Sequence, residues 1–383
     1  MTKDNTMIDI TIIGAGVIGL AIAAQVSNKS KQVYVLENNK TFGQETSSRN
    51  SQVIHAGLYY PQGTLKAKTC VEGNALLYQL CREHNIGHKR LGKLVVAVDD
   101  NETEELEALL EKGEKNGLKG LKILDRQATK KLEPNVRAVA ALLVPSTGIV
   151  DAHALMRYFV GKAIDNGTKM VYKTKVVGIE KRKSGFRVSV EDQSGGSSFM
   201  TRLLINCAGL NSDKIAHLAG IDISKEGYNL HYCKGEYFKL TGGKSKLVKR
   251  LIYPVPKARG AGLGIHTAPT LNGTMLIGPN ARYTDTIDYS VDEGQRAVFY
   301  DSIVGFLPFV NCDDLEPEMT GIRPKLQGPR DDFRDFIIRD ERDKGLPGFI
   351  NLVGIESPGL TASPAIARYV KAIADGALRE GDY

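Results

Sequence analysis

The amino-acid sequence predicts an α/β fold that is α+β when the whole chain is considered. It predicts two domains, each of them discontinuous along the chain: one with a parallel sheet and one with a mixed or antiparallel sheet. Near the N-terminus a short apolar run ends in glycine and continues at helical spacing, which is typical of a buried parallel strand followed by a helix. Between Tyr228 and Ile277 the strand-like runs alternate apolar and polar residues, the pattern of an antiparallel sheet with one solvated face. Because the two kinds of strand interleave along the sequence, each domain is assembled from separate segments.

The first segment predicts a strand–helix–strand unit. Ile8 to Ile13 forms the first strand, Ile18 to Val26 the helix and Gln32 to Leu36 the second strand. A unit of about thirty residues is long enough for a right-handed crossover between parallel strands. A polar stretch without periodicity, Gly43 to Ser51, then predicts a loop, and Leu65 to His84 returns to helical spacing.

The later elements are predicted from the same patterns. The remaining predicted strands are Leu94–Val98, Lys169–Glu180, Phe186–Val190, Leu203–Cys207, Tyr228–Leu240, Leu251–Val255, Thr274–Ile277 and Phe349–Val353, and the remaining helices are Glu102–Lys115, Ala154–Ile164 and Leu360–Leu378. The predicted cofactor-binding domain comprises residues 1–80, 145–215 and 325–383, and the predicted substrate-binding domain comprises residues 81–144 and 216–324.

Composition narrows the class of protein. The chain has 383 residues, 51 Lys plus Arg and 44 Asp plus Glu, for a net charge of +7. This ordinary charged fraction excludes a disordered or collagen-like chain, and the positive balance suits an acidic small molecule or an anionic membrane surface. Lys and Arg are scattered without a basic stripe, so we do not expect nucleic-acid binding. The sequence predicts neither a transmembrane helix nor an export signal.

The number and spacing of the cysteines predict reduced thiols and no metal site. There are five of them, without a CxxC pair, at positions Cys70, Cys81, Cys207, Cys233 and Cys312. An odd number in a chain of this length is typical of buried thiols in a cytosolic protein. No two histidines or cysteines share an element at metal-ligand spacing, so no metal site is expected.

A glycine motif identifies a dinucleotide site. Gly14, Gly16 and Gly19 form a GxGxxG pattern between the first strand and the first helix, and Glu37 ends the second strand 18 residues after Gly19. The glycines permit the tight turn, the close approach of a pyrophosphate and the packing of helix on strand, while the acid is placed to bind a ribose. The pattern predicts a Rossmann-like domain, and the acid disfavours NADP.

The sequence beyond this motif favours FAD over NAD. A polar loop, rather than another helical crossover, comes after Glu37 and can line an extended ligand. The segment Gly354 to Thr361 joins a buried strand to the last helix, which offers a second helix N-terminus to a reduced flavin. Asn206 to Gly209 similarly ends a strand with a glycine that permits close approach.

Motifs along nearly the whole chain resemble the D-amino-acid-oxidase-type family of FAD-dependent oxidoreductases. The matching segments beyond the glycine motif are Ser47–Tyr60, Leu65–Lys68, Gly92–Leu94, Thr147–Asp151, Lys234–Tyr237, Ile252–Pro256, Gly278–Ala281, Gly321–Pro324 and Gly354–Thr361. The resemblance implies a non-covalently bound FAD. It implies these cofactor-binding residues: Gly14, Gly16, Gly19, Glu37, Ser47, Ser48, Arg49, Asn50, Ser51, Val176, Ala208, Gly209, Gly354, Gly359, Leu360 and Thr361.

The resemblance also implies oxidation of a small 2-hydroxy acid, with L-2-hydroxyglutarate as the leading substrate. Hydride transfer from C2 to flavin N5 needs a base for the hydroxyl proton, and histidine suits because its ordinary pKa is near working pH. His55 is the first candidate for this base and His266 the second. A dicarboxylate needs cationic or hydroxyl anchors, and the candidates are Arg323, Lys234, Tyr253 and Tyr60.

Two alternatives stay open from the sequence. An amino-acid or secondary-amine oxidase could use the same scaffold, although His55 favours an alcohol substrate, and a FAD-binding redox protein without turnover is the other alternative. The electron acceptor is left open among a quinone, a carrier protein and oxygen. We expect a cytoplasmic protein and leave open peripheral contact with the inner face of a membrane.

Overall fold

The computed structural model describes residues 7–256 and 262–380. Its strands are β1 (Ile8–Ile13), β2 (Val33–Leu36), β3 (Val53–Ile54), β4 (His88–Lys89), β5 (Lys93–Ala97), β6 (Lys122–Asp125), β7 (Ala140–Val144), β8 (Gly148–Val150), β9 (Lys169–Val171), β10 (Lys175–Arg182), β11 (Gly185–Asp192), β12 (Gly195–Asn206), β13 (His231–Leu240), β14 (Leu251–Pro254), β15 (His266–Pro269), β16 (Met275–Gly278), β17 (Arg282–Thr284), β18 (Leu315–Lys325), β19 (Ile337–Glu341) and β20 (Leu346–Val353). Its helices are α1 (Val17–Val26), α2 (Leu65–Glu83), α3 (Thr103–Lys115), α4 (Arg126–Leu132), α5 (Ala152–Asp165), α6 (Ser212–Leu218), α7 (Arg296–Ile303) and α8 (Gly359–Glu380). The predicted α/β class is confirmed.

The chain forms two compact units, each of them discontinuous. Unit 1 comprises residues 1–48, 152–231 and 324–383, and unit 2 comprises residues 49–151 and 232–323. The predicted domain boundaries differ from these units because residues 49–80 and 145–151 belong to unit 2 and residues 216–231 belong to unit 1, where Ile221 and Tyr228 join the apolar core. Residues 49–80 and 145–151 are joined by a small sheet in which β8 pairs with both β3 and β4, so that Val53 lies opposite Ile149. Strands this short leave no periodicity from which this pairing could be predicted.

Unit 1 is built on a mostly parallel sheet. The strands β20, β12, β1, β2 and β9 lie side by side and pair in parallel, while β10, β11 and β19 add antiparallel edges. In β1, Ile10 and Ile12 are fully buried, as expected for a strand covered on both faces. Helix α1, with the sequence VIGLAIAAQV, packs against α5 and α8.

Unit 2 contains antiparallel and mixed sheets. One sheet has the order β15-β16-β13-β17, with β18 also paired to β13, and a second has the order β14-β5-β7-β6. The prediction that Leu251–Val255 joins an antiparallel sheet is wrong, because β14 pairs in parallel with β5. Leu251, Ile252 and Tyr253 are all fully buried. Both faces of this strand are therefore covered, so polar and apolar residues have no solvated face to alternate with.

The described residues contain neither a membrane-spanning helix nor a cluster of metal ligands. Within residues 7–256 and 262–380, no helix is long and apolar enough to cross a membrane. The same part of the chain contains no group of three or more His, Cys, Asp or Glu side chains arranged to hold a metal ion.

Candidate active site

The glycine motif of unit 1 forms the turn between β1 and α1. Gly14 has φ +105°, and a Cβ atom there would lie 2.4 Å from the carbonyl oxygen of Cys207. A Cβ atom on Gly19 would lie 2.0 Å from the carbonyl oxygen of Gly14. The first glycine therefore permits the turn and the third permits the helix to pack on the strand, which are the functions expected for a dinucleotide motif.

The N-terminus of α1 faces a serine from the predicted polar loop. Ser47 Oγ accepts a hydrogen bond from the backbone N–H of Val17 at 2.9 Å and would lie 3.0 Å from a Cβ atom on Gly16. Gly16 precedes the helix and, as a glycine, has no side chain with which to cap it. Backbone donors at such a terminus bind phosphate well, so Gly16 and Ser47 could hold the pyrophosphate of FAD.

Glu37 comes directly after β2, next to the glycine turn. Its two carboxylate oxygens accept hydrogen bonds from the backbone N–H groups of Ala15 and Asn39, both at 2.8 Å. Each oxygen has a second lone pair that can accept a hydrogen bond from a ribose hydroxyl. The sequence predicted only the ribose contact, whereas the structure also has Glu37 fixing the backbone of the glycine turn.

A second helix N-terminus lies after β20 in the same unit. Gly354 comes directly after the strand with φ +74°, and α8 begins at Gly359. The loop between them is anchored by Lys325, whose Nζ donates to both carboxylate oxygens of Glu356 at 3.0 and 3.2 Å. Thr361 is buried and Leu360 is partly buried in the first turn. These residues could hold a ligand group at the helix N-terminus.

The other candidate cofactor residues are divided between the units. In unit 1, Val176 is buried in β10, Ser48 Oγ donates to the Glu45 carbonyl, and the Ala208–Gly209 turn is fixed by Asn206 Oδ1, which accepts from the Ala208 N–H at 3.1 Å. In unit 2, the Arg49 guanidinium lies 4.1 Å from the centroid of the Tyr289 ring, Asn50 Oδ1 accepts from the Gln52 N–H, and Ser51 hydrogen-bonds Tyr237.

His55 comes directly after β3 in unit 2. Its carbonyl oxygen accepts a hydrogen bond from Asn74 Nδ2 at 2.8 Å, which fixes the backbone on which the imidazole is carried. Burial, and then the charge of Lys93, lower the pKa of His55 from 6.5 to about 3. The ring is therefore neutral at neutral pH, the state in which it can accept a proton.

His266 opens β15 and stacks on a tyrosine of β14. The His266 and Tyr253 ring centroids lie 3.7 Å apart with an interplanar angle of 17°. His266 Nδ1 lies 2.7 Å from the carbonyl oxygen of Gly264, so Nδ1 carries the hydrogen and Nε2 is the acceptor in the neutral ring. Burial lowers the pKa of His266 to about 3; the hydrogen bond to Gly264 acts in the opposite direction, and the nearby His55, Lys93 and Arg323 also disfavour protonation. His55, Lys93 and Arg323 are therefore close enough to His266 to influence its protonation.

Arg323 lies on β18 and is fixed by main-chain and sulfur contacts. Its Nη2 donates to the carbonyl oxygen of Asn280 at 3.1 Å, and Nη1 lies 3.5 Å from Cys233 Sγ. A Cβ atom on Gly235 would lie 2.7 Å from Nη2. Gly235 therefore permits the guanidinium to lie against the backbone of β13, and any side chain there would displace it.

Sequence reasoning missed Lys93 and Tyr59. Lys93 opens β5 and is 2% exposed, and its Nζ donates to Tyr59 Oη at 3.1 Å. Burial lowers the pKa of Lys93 from 10.5 to about 7. The signal was available, because Lys93 is the one charged residue of the otherwise apolar strand KLVVA, and a lysine is almost never fully buried without a partner.

The structure gives two of the predicted substrate residues other contacts. Lys234 Nζ pairs with Asp288 Oδ2 at 2.7 Å and lies 3.7 Å from Glu236 Oε1, so its charge is already neutralised. The backbone carbonyl of Tyr60 accepts a hydrogen bond from Asn116 Nδ2 at 2.9 Å, and its side chain is partly buried. Tyr253 is fully buried, and its hydroxyl has no hydrogen-bond partner among the described residues.

Comparison with known proteins places this chain in a family. The family described as "FAD dependent oxidoreductase" (DAO) matches residues 9–373, and the chain belongs to it. The predicted family, the predicted enzyme class of FAD-dependent oxidoreductase and the predicted FAD cofactor are confirmed.

Curated and solved relatives cover most of the chain. It is similar to "L-2-hydroxyglutarate dehydrogenase, mitochondrial" from Arabidopsis thaliana, at 37% identity over 95% of this chain and 82% of the relative, and to the human protein of the same name, at 32% identity over 94% and 87%. It is also similar to "Glycerol 3-phosphate dehydrogenase" from Caloramator mitchellensis, at 34% identity over 95% and 73%. The solved L-alpha-glycerophosphate oxidase of Mycoplasma pneumoniae superposes with a TM-score of 0.85 at 28% identity, covering 97% of this chain and 95% of the other.

The residues of unit 1 fit FAD on the geometry of this structure. Side chains at Gly14 and Gly19 would clash with backbone atoms of the protein, so both positions require glycine for the tight turn and the helix–strand packing of a dinucleotide motif. The N-termini of α1 and α8 supply backbone donors for anionic groups. Gly14, Gly16, Ser47 and Glu37 would bind the nucleotide half of the cofactor.

Proposed function

We propose that the protein oxidises L-2-hydroxyglutarate to 2-oxoglutarate, with His55 as the base. The observation that carries this proposal is a cluster in unit 2 in which two neutral imidazoles, His55 and His266, lie in the electrostatic field of cationic side chains, Lys93 and Arg323. Such a cluster suits an anionic alcohol, because it offers a proton acceptor for the hydroxyl and positive charge for the carboxylates. The names of several relatives at 31–37% identity agree with this substrate.

His55 removes the proton of the C2 hydroxyl in this proposal. Its neutral imidazole accepts that proton while the C2 hydrogen leaves with its electron pair, so that the C2–O bond becomes a carbonyl. Bound FAD supplies the two-electron acceptor for this hydrogen. The backbone of His55 is held by Asn74, which keeps the imidazole in one position with respect to the substrate hydroxyl.

Arg323 binds the C1 carboxylate next to the reacting carbon. A guanidinium offers a planar pair of donors that fixes a carboxylate in orientation as well as position. The contacts of Arg323 with Asn280 and Cys233 hold this group in place before substrate arrives. An oriented carboxylate in turn orients the C2 hydrogen and hydroxyl.

A second candidate substrate is sn-glycerol 3-phosphate. It too is a secondary alcohol with an anionic group, and two similar proteins carry names that describe its oxidation. The same base would serve both reactions, so the choice between them depends on the groups that bind the anion. An amine substrate requires no dedicated base, and a redox protein without turnover requires neither base nor anchors.

Initial rates with an artificial dye as electron acceptor test the proposal. We expect kcat/KM for L-2-hydroxyglutarate to exceed the values for D-2-hydroxyglutarate, sn-glycerol 3-phosphate, glycine and L-proline by at least about 100-fold, the discrimination available to a site built around specific polar groups. A preference for sn-glycerol 3-phosphate would replace the proposal with the second candidate. A preference for an amino acid, or no turnover with any of these compounds, would reject an alcohol substrate.

A further inference from the structure

Lys93 is a buried cation without a carboxylate. Its Nζ lies 4.2 Å from the centroid of the Tyr59 ring and 4.6 Å from that of the Tyr253 ring, and it donates one hydrogen bond, to Tyr59 Oη. Throughout the described part of unit 2, no carboxylate oxygen lies within ion-pair distance of this ammonium. Burying a charge in this way is unfavourable unless something pairs with it.

Two other buried lysines of the chain are each paired with a carboxylate, which is the usual way to compensate a buried charge. Lys234 is 4% exposed and pairs with Asp288, and Lys325 is 6% exposed and pairs with Glu356. Lys93 is less exposed than either and has aromatic rings and a hydroxyl where those lysines have carboxylates. Its surroundings therefore lack an anion that the other two sites contain.

Lys93 and the two tyrosines whose rings it contacts have unused hydrogen-bond donors. An ammonium has three N–H donors, and Lys93 uses one of them on Tyr59. Tyr59 Oη accepts that bond, so its own O–H can be donated elsewhere. Tyr253 Oη is buried and has no partner among the described residues. The register that places Leu251 of β14 opposite Lys93 of β5 puts Tyr253 and Lys93 on one face of the sheet.

We propose that Lys93 and Tyr253 bind the distal carboxylate of the dicarboxylate substrate, with Tyr59 as a third donor. This inference rests on the proposed function and deepens it, because it assigns the group that distinguishes 2-hydroxyglutarate from a 2-hydroxy monocarboxylate. The rigid fork of Arg323 suits the C1 carboxylate, whose orientation matters for the reaction. The ammonium of Lys93 is a point charge with rotatable donors and suits the more mobile end of the chain.

Ligand binding to the FAD-loaded protein tests this proposal without turnover. The probes are glutarate, which has both carboxylates but no hydroxyl, and valerate, which has a methyl group in place of one carboxylate; the readout is the change in flavin absorbance on titration. We expect Lys93→Met to raise the Kd of glutarate by roughly 10- to 100-fold, the usual effect of losing a charged hydrogen bond. The Kd of valerate should stay nearly unchanged in this variant.

Tyr253→Phe tests the same site with minimal disturbance. It keeps the ring that stacks on His266 and removes only the unpartnered hydroxyl. We expect it to raise the Kd of glutarate by about 2- to 10-fold, the effect of a neutral hydrogen bond, and to leave valerate unaffected. If Lys93→Met does not fold, Tyr253→Phe and the charge-preserving Lys93→Arg still decide the question, because the first should weaken glutarate binding selectively and the second should retain it.

Lys244→Met is the matched control. Lys244 is a partly buried lysine of the same unit that already pairs with Asp314, so its loss should not change either Kd. Equal weakening of glutarate and valerate by Lys93→Met, or unchanged glutarate binding, would overturn the inference. If the wild-type protein fails to oxidise L-2-hydroxyglutarate yet Lys93→Met selectively weakens glutarate, the proposed function fails while the carboxylate site stands.

Discussion

At the scale of single residues, the proposed function depends most on His55, directly after β3. We expect His55→Ala to lower kcat by about 10²–10⁴, the usual contribution of a general base, with little change in substrate Kd. The measurement is kcat and KM with a dye acceptor, together with the flavin-to-protein ratio. His153→Ala, which removes an exposed histidine, is the control and should have wild-type kcat. Loss of FAD from His55→Ala would assign His55 to cofactor binding and make His266 the candidate base.

The arginine of β18 should affect binding rather than the chemical step. We expect Arg323→Ala to weaken substrate binding by roughly 1.5–3 kcal/mol, the value of a charged hydrogen bond. Rapid anaerobic mixing over a range of substrate concentrations separates Kd from the rate of flavin reduction. A variant with unchanged Kd would show that the guanidinium does not contact a carboxylate.

The pH dependence should report the protonation of Lys93. Its pKa is lowered by burial to about 7, and only the protonated ammonium attracts a carboxylate. We therefore expect kcat/KM, which reflects the free enzyme, to be highest below pH 7 and to fall as the pH rises through about 7. Because the pKa of His55 is lowered to about 3, no loss of activity is expected near pH 6.5 from protonation of the base.

Lys93→Arg and Lys93→Met separate this effect from other titrations. Arginine stays charged at every accessible pH, so Lys93→Arg should lack the decline above pH 7. Lys93→Met should have a low kcat/KM that does not change over the same range. A decline that persists in both variants would assign it to another group.

At the scale of elements, we expect the turn between β1 and α1 to determine whether the cofactor binds. We expect Gly14→Ala to lose most of its FAD, because its Cβ atom would clash with Cys207 at 2.4 Å on a backbone with φ +105°. The ratio of flavin absorbance to protein absorbance measures this loss. Gly220→Ala has a similar φ of +90° and open space around the new atom, so it isolates the backbone strain, which costs of order 1–3 kcal/mol. Full FAD content in Gly14→Ala would contradict the assignment of this turn to the pyrophosphate.

Long periodic elements were predictable and short ones were not. The predicted strand at Ile8–Ile13 has the same bounds as β1, and the predicted helix at Leu65–His84 ends within one residue of α2, because burial of an apolar run or stripe determines both. The two-residue strands β3 and β4 give no periodic signal. Their pairing with β8 nevertheless joins the segment that contains residues 49–80 to the rest of unit 2. For the same reason the predicted boundaries at residues 49–80 and 145–151 differ from the observed units.

The candidate site shows the same division between local and tertiary information. The glycine motif and Glu37 could be predicted because their function depends on spacing along the chain. The absence of a carboxylate next to Lys93 could not be predicted, because it depends on which groups strands β5 and β14 bring together. Lys234 is predicted to bind substrate, but in the structure it pairs with Asp288, 54 residues away in sequence. This pairing could not be predicted from the sequence because it depends on the tertiary fold.

At the scale of the whole molecule, each unit carries one part of the proposed activity. Unit 1 contains the glycine motif, Glu37 and the N-termini of α1 and α8, and unit 2 contains the histidines and the cationic side chains. The family matches residues 9–373, which extend through all segments of both units. A net charge of +7 agrees with an anionic substrate, because positive charge raises the local concentration of anions.

The central claim is that L-2-hydroxyglutarate reduces the bound flavin and leaves as 2-oxoglutarate. The most direct measurement is to add L-2-hydroxyglutarate to the FAD-loaded protein without oxygen, follow the flavin absorbance and quantify 2-oxoglutarate in the quenched mixture. We expect the yellow absorbance to disappear and one molecule of 2-oxoglutarate to form per flavin reduced, while D-2-hydroxyglutarate leaves the flavin oxidised. A flavin that stays yellow with L-2-hydroxyglutarate, but loses its colour with sn-glycerol 3-phosphate or an amino acid, would contradict the claim.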